Sequence, residues 1–184
     1  MNKILIFFIV MFLIGCSQTE QLLYDKNYPL TNKIIKSDLS HFKVNIPQGW
    51  YSSNENLDNI VDIWLIEEKL SAQIAFSPLT VVNSESGVLL KDVLNFNIRQ
   101  KKAEIGSRYK EVIPVEHFYI NAIEFYSYQY YDLRNLPVRT VIFRINNDYF
   151  ECIASFSEKI NAEKANPSIL FKVQNSVLNS ISLK

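Results

Sequence analysis

The chain is poor in the residues from which catalytic and metal sites are built. Its 184 residues include two histidines, two cysteines and four glycines. It has no Gly-x-Ser-x-Gly nucleophile elbow and no phosphate-binding glycine loop, and no residue spacing typical of zinc or calcium ligands. His41 and His117 each lie near the end of a predicted strand, where a surface role is commoner than a catalytic one. We therefore predict no enzyme, no metal and no cofactor, although distant residues can also assemble into a triad.

An excess of either charge is also absent. Lysine and arginine together number 19, and aspartate and glutamate together number 19. Nucleic-acid binding usually requires a basic patch, so no nucleic-acid partner is expected. Long apolar runs are missing as well, because the run at residues 4–14 is shorter than the roughly 20 residues that span a bilayer. This run is too short to remain as a spanning helix.

The N-terminal run has the features of an export signal. Its length fits the apolar segment of such signals, which is about 7–15 residues. It ends in Leu13-Ile14-Gly15-Cys16, which resembles the lipobox of bacterial lipoproteins: an aliphatic, a permissive and a small residue before a cysteine. The resemblance implies cleavage after Gly15 and covalent attachment of diacylglycerol and a fatty acyl chain to Cys16. These chains would anchor the mature protein to the membrane.

The residues after Cys16 indicate the location and the domain boundaries. The residue after Cys16 is Ser17 and not an aspartate. This resembles the sorting pattern of lipoproteins of the outer membrane that face the periplasm, if the cell is Gram-negative. Polar residues with little periodicity continue to residue 38 and predict a tether. We therefore divide the chain into a signal peptide, 1–15, a lipidated N-terminus and tether, 16–38, and one folded domain, 39–184. The alternatives at the N-terminus are a plain secretory signal with an incidental cysteine, or a buried helix.

Cys152 would be the remaining thiol after lipidation of Cys16. A single thiol cannot form an internal disulfide, so stability would depend on core packing. Cys152 lies in the alternating apolar series Phe150, Cys152, Ala154, Phe156. We predict a buried small apolar residue and not a reactive thiol, since no cation or helix N-terminus is near it in sequence.

In the folded part, the spacing of apolar residues predicts strands, a helix, further strands and a final helix, in that order. Alternating apolar residues predict strands at 42–46, 62–67 and 73–79. Four strands with short turns, an antiparallel meander, are predicted at 111–118, 123–132, 138–145 and 149–156. Helical spacing occupies 88–105, and Asn166-Pro167 suits the start of a final helix. This order predicts an α+β fold with an antiparallel sheet packed by helices.

The first strand and turn carry a recognisable motif. Phe42-Lys43-Val44-Asn45-Ile46-Pro47-Gln48-Gly49-Trp50 resembles the opening of PsbP-like domains, in which alternating apolar residues precede Pro-x-Gly-Trp. Residues 149–154 and 174–181 are similar to that family's closing strand and last helix. The resemblance covers about residues 40–184. The PsbP-like family includes bacterial lipoproteins of the DcrB kind. It implies an α/β/α sandwich with a central antiparallel sheet of about six to seven strands, and a binding or assembly role without chemistry.

A tyrosine-rich segment is the candidate site. Tyr126, Tyr128 and Tyr130 alternate along one predicted strand and therefore share a face. Tyrosines are enriched at binding surfaces, and Arg139 could flank such a surface. The alternatives are that the rings pack under a helix and that Arg139 makes an ordinary cross-strand pair with Glu124 or Glu151. We predict a non-enzymatic envelope lipoprotein that binds a protein partner through Tyr126, Tyr128, Tyr130 and Arg139. The alternative function is a small-molecule or lipid carrier with a pocket between sheet and helix.

Overall fold

Two antiparallel sheets and two α-helices form the part of the chain that the structure, a computed structural model, describes: residues 26–54, 60–81, 88–158 and 160–183. The strands are β1 (Leu30–Lys36), β2 (Phe42–Pro47), β3 (Trp50–Ser52), β4 (Ile63–Glu67), β5 (Ala72–Leu79), β6 (Glu111–Ile120), β7 (Ile123–Tyr131), β8 (Pro137–Ile145), β9 (Asp148–Phe156) and β10 (Ser182–Leu183). The helices are α1 (Leu90–Ile105) and α2 (Pro167–Asn179). Short 3-10 helices lie at Gly106–Arg108 and Ala162–Lys164.

The larger sheet has seven strands in the order β3-β4-β5-β9-β8-β7-β6, and all its neighbours are antiparallel. The predicted meander of four strands is confirmed as β6 to β9. Asn121 and Ala122 form the β6–β7 turn with φ values of 51° and 64°, a left-handed conformation that asparagine tolerates better than most residues. The strand number and the antiparallel arrangement agree with the predicted α+β fold.

The main core lies between the large sheet and a second layer made of α2 and the smaller sheet, β1-β2-β10. Phe42 of β2 points into it and meets Phe150 of β9 edge-on, with ring centroids 5.2 Å apart. Phe76 and Phe143 complete this aromatic group, and all four side chains are fully buried. Burial of each ring contributes about 1.5–3 kcal/mol. This aromatic centre attaches the second layer to the sheet.

The opening motif folds as a strand, a turn and a strand. β2 ends at Pro47, and Gly49 follows with φ of 78°, a conformation that glycine adopts without strain. Trp50, 7% exposed, then closes one end of the main core. The motif therefore links the two sheets, since β2 lies in the small sheet and β3 in the large one.

Helix α1 forms the third layer, on the opposite face of the large sheet. Its residues Leu90, Val93 and Leu94 are buried in a second apolar cluster with Tyr128 and Ile142. The stripe follows the helical period. The three layers make the α/β/α sandwich that the resemblance implies.

The domain begins earlier in the chain than predicted. Residues 30–36 of the predicted tether form β1, which pairs with β2 and packs Ile35 against the main core. The strand is hidden in the sequence because its register shifts between Leu30 and Ile34, which interrupts the apolar alternation. Before it, the Tyr28 N–H donates to Ser176 Oγ at 2.9 Å. The predicted tether is thus corrected at residues 28–36, which belong to the folded domain.

The predicted signal peptide, Cys16 and Ser17 lie outside the described residues. Within the residues that are described, neither helix is long and apolar enough to cross a membrane.

Candidate functional site

The tyrosines of β7 share one face, as predicted, and that face is the one that α1 covers. Tyr128 and Tyr130 are only 1% and 6% exposed. Tyr128 Oη donates to Asn97 Oδ1 at 2.6 Å, and Asn97 Nδ2 donates to Glu151 Oε2 at 2.9 Å. Burial raises the pKa of both tyrosine hydroxyls, so they remain protonated donors. Tyr128 and Tyr130 thus fit the alternative prediction, in which the rings pack under a helix, and they hold α1 on the sheet.

Arg139 lies on the opposite face of the sheet from the tyrosines. In the β7–β8 register it pairs with Gln129, so its side chain points toward α2. It is 1% exposed, and its Nη1 donates to Gln174 Oε1 at 3.1 Å and to Asn175 Oδ1 at 2.7 Å. Its Nη2 lies 3.9 Å from Glu116 Oε2. The expectation that Arg139 flanks the tyrosines is corrected, because it joins β8 to α2 inside the domain.

An exposed aromatic group occurs where β6 pairs with β7. The His117 ring stacks on Tyr126 with centroids 4.4 Å apart and an angle of 11°, and Tyr119 meets His117 edge-on at 5.2 Å. Tyr119 is 58% exposed. We call His117, Tyr119 and Tyr126 the β6–β7 aromatic cluster. Of the predicted site residues, only Tyr126 belongs to it.

The β6–β7 aromatic cluster also carries polar groups. His117 Nε2 lies 3.0 Å from Glu124 Oε1, and both side chains are about two-fifths exposed, at 43% and 40%. Desolvation and the nearby Glu124 carboxylate raise the pKa of Tyr126, so its hydroxyl is a neutral donor and acceptor at physiological pH. The cluster thus offers stacked rings surrounded by a hydroxyl, an imidazole and a carboxylate, a combination suited to binding a protein surface.

The sequence analysis gives no contact between His117 and Tyr126, although the turn between their strands carries the signal that joins them. The two-residue turn at Asn121 and Ala122 sets the register, which places His117 opposite Tyr126. Counting backwards from that turn would have found the pair. Val115 and Tyr119 of β6 are also exposed, at 41% and 58%.

Strand β6 is at the edge of the large sheet. It pairs with β7, and no other strand of the described residues lies beside it. Unpaired backbone groups at a sheet edge can accept a strand from another chain. Pro114 cannot donate a backbone hydrogen bond, which leaves residues 115–120 as the better part of this edge. These residues carry two members of the aromatic cluster.

Other candidate features have simple packing roles. Cys152 is fully buried, which confirms the prediction of a buried small apolar residue, and burial raises the pKa of its thiol to about 12. The described residues contain no group of three or more His, Cys, Asp or Glu side chains able to hold a metal ion.

An open cleft of about 300 Å³ lies at one end of the large sheet. Its lining includes Leu39, Pro78, Val81, Asp148 and Tyr149. Tyr149 Oη donates to the Val88 carbonyl at 2.6 Å, beside the start of α1. The cleft is at the strand ends, and not between sheet and helix where the predicted carrier pocket would lie.

Comparison with known proteins identifies the fold. No family model and no curated protein matches the chain. The solution structure of cyanobacterial PsbP (CyanoP) from Synechocystis sp. PCC 6803 is similar with a TM-score of 0.57 at 11% identity, covering 83% of this chain and 92% of that one. The fold is PsbP-like. The sequence-based prediction of a PsbP-like architecture is confirmed, although identity this low assigns no partner to this PsbP-like domain.

Two further structures are similar over shorter or weaker alignments. A crystal structure from Bacteroides thetaiotaomicron VPI-5482 has a TM-score of 0.40 at 14% identity, covering 83% of this chain and 48% of that one. Protein PA94 of unknown function from Pseudomonas aeruginosa has a TM-score of 0.40 at 10% identity, covering 71% of this chain and 84% of that one.

Proposed function

We propose that this protein is a non-enzymatic lipoprotein of the cell envelope whose PsbP-like domain binds a protein partner through the β6–β7 aromatic cluster. The lipid would be carried by Cys16, and the membrane would be the outer one if the cell is Gram-negative. The observation that carries the binding role is the partly exposed stack of His117 on Tyr126 beside the exposed Tyr119. The lipobox motif supports the anchor.

The position of the cluster supports binding to another chain. Its rings are held by neighbouring strands, so little side-chain entropy would be lost on association. His117 and Tyr119 lie on the edge strand β6, where a partner could add backbone hydrogen bonds to contacts with the rings. Tyr128 and Tyr130 would support this surface from below α1 and would not touch the partner.

Photo-crosslinking in cells tests the binding surface. A photoreactive phenylalanine at Tyr119 should give a discrete crosslinked protein, and Tyr126→Ala should reduce its yield at least about tenfold, as expected for the loss of a hot-spot ring. The matched control is the same probe at Tyr51, which is 41% exposed at the opposite end of the same sheet. Equal crosslinking from both positions, or none from Tyr119, would contradict the proposal.

Acylation tests the anchor separately. Radiolabelled palmitate should enter the protein, and Cys16→Ser should abolish both the label and membrane fractionation. Cys152→Ser is the matched control and should leave both unchanged, because that thiol is buried. Label that persists in Cys16→Ser would refute the anchor.

The open cleft favours a second candidate function, a small-molecule or lipid carrier. Its volume of about 300 Å³ is at the lower limit for small-ligand sites. Native mass spectrometry should then show a co-purifying ligand that Thr80→Trp, a substitution in the lining, displaces. A ligand-free mass from gently purified protein would remove this candidate.

A further inference from the structure

The small sheet has an outer face that no described layer covers. Phe42 and Val44 of β2 are fully buried, and Ile35 of β1 packs against the main core. Since side chains alternate along a strand, Ile34, Lys36 and Lys43 point to the other side. We call these three residues the outer face of the small sheet.

The charges on this outer face repel one another. Lys36 and Lys43 are directly opposite in the β1–β2 ladder, and like charges in such positions destabilise a sheet. In the described part of the chain, no carboxylate lies within ion-pairing distance of either ammonium group. Lys33 of the same strand is also exposed. An anionic surface would relieve the repulsion between these lysines.

An apolar side chain accompanies these lysines. Ile34 is 51% exposed and lies opposite Asn45, next to the Lys36–Lys43 pair. Lysines attract the phosphates of a membrane that contains anionic lipid, and an apolar side chain beside them can enter the interface. Charge complementarity therefore favours a headgroup layer.

The position of the N-terminus brings this face within reach of a membrane. The chain enters the fold at Lys26, whose carbonyl accepts a hydrogen bond from Ser176 Oγ at 2.6 Å, and β1 is the first strand. About ten residues separate Cys16 from Lys26. Because a residue spans at most about 3.6 Å, a lipid on Cys16 would hold the domain within about 36 Å of the bilayer.

We infer that the outer face of the small sheet lies on a membrane surface containing anionic phospholipid, with Lys36 and Lys43 at the phosphates and Ile34 in the interface. The inference rests on the lipid anchor of the proposed function. It orients the molecule, because α1 and the β6–β7 aromatic cluster are on the opposite side of the large sheet. The partner-binding surface would then face away from the membrane.

Fluorescence quenching on vesicles tests this orientation with the full chain. Ile34→Cys is labelled with a fluorophore, since Cys16 is blocked by lipid and Cys152 is buried, and the vesicles carry a headgroup-region spin-labelled quencher. In phosphatidylcholine mixed with phosphatidylglycerol, the probe at 34 should be quenched several-fold more than a probe at Phe96→Cys. Phe96 is the matched position, 53% exposed on α1 in the opposite layer.

The charge variants separate electrostatic contact from simple proximity. Lys36→Glu/Lys43→Glu should reduce quenching at residue 34 to the level at residue 96, as should vesicles of phosphatidylcholine alone. Lys91→Glu/Arg99→Glu, an equal charge change on exposed residues of α1, should leave it unchanged.

The failures of the two proposals are distinguishable by the mass of the protein, which reports acylation. Acylated, vesicle-bound protein with equal quenching at 34 and 96 would overturn the orientation while the anchor stands. Protein without acyl chains would overturn the anchor, and the orientation that rests on it would fall as well.

Discussion

Cys152 is enclosed at the centre of β9, where Gln174 Nε2 donates to its backbone carbonyl at 2.9 Å. Because burial raises the pKa of the thiol to about 12, almost no thiolate is present at pH 8 in the folded state. We expect the thiol to react with Ellman's reagent only in step with unfolding, and at once in urea. Rapid reaction of the folded protein would contradict this account of its burial.

Arg139 makes a second prediction for a single residue. Its guanidinium donates to Gln174 and Asn175 of α2, so Arg139→Ala would leave buried polar groups without a partner. We expect a loss of about 3 kcal/mol in the free energy of unfolding by urea denaturation. Arg144→Ala, at an exposed residue of the same strand, is the control and should cost less than about 1 kcal/mol. Similar losses for the two variants would show that the buried network contributes little.

At the scale of elements, α1 depends on a short apolar stripe and on polar contacts with the sheet. Leu94 is 1% exposed, whereas Phe96 of the same helix is 53% exposed. Leu94→Ala should lower stability by about 2–5 kcal/mol through the cavity it leaves, and should speed amide hydrogen exchange in α1. Phe96→Ala should change neither by much. Unchanged exchange in Leu94→Ala would mean that Asn97 and the tyrosines hold the helix without this side chain.

The elements were predictable where one residue pattern determined them. The β6–β9 meander and both helices follow from periodicity and turn residues. β1 was missed because its bulge breaks the alternation at Ile34. For the candidate site, the alternation of residues predicted correctly that Tyr126, Tyr128 and Tyr130 share a face. Whether a helix covers that face depends on tertiary packing, which the pattern of a single strand does not contain. The side on which Arg139 lies depends in turn on the β7–β8 register.

At the scale of the whole molecule, the tyrosine hydroxyls with raised pKa values predict how the free energy of unfolding depends on pH. Burial raises the pKa of Tyr109 to about 12 and raises those of Tyr128 and Tyr130 as well, against about 10 for an unfolded tyrosine. Below pH 9 the tyrosines are protonated in both states and contribute no pH dependence. Above about pH 10 the unfolded chain loses protons that the folded chain keeps, so stability falls. Urea midpoints measured from pH 7 to 11 should begin to decrease at about pH 8.5, where the Cys152 thiol of the unfolded chain ionises, and should fall more steeply above about pH 10.

A control variant identifies the source of the alkaline loss. Tyr128→Phe removes one buried hydroxyl and should make the decrease above pH 10 shallower, while Tyr119→Phe, exposed, should not. A midpoint that rises with pH in this range would be incompatible with the buried hydroxyls.

Strand β2 lies between β1, near the start of the chain, and β10, at its end, with Lys43 opposite Ser182. Contacts between residues so distant in sequence form slowly, because a long loop must close before they can be made. Until Ser182 and Leu183 pair with β2, the small sheet lacks its third strand. The topology therefore places completion of the small sheet late in folding.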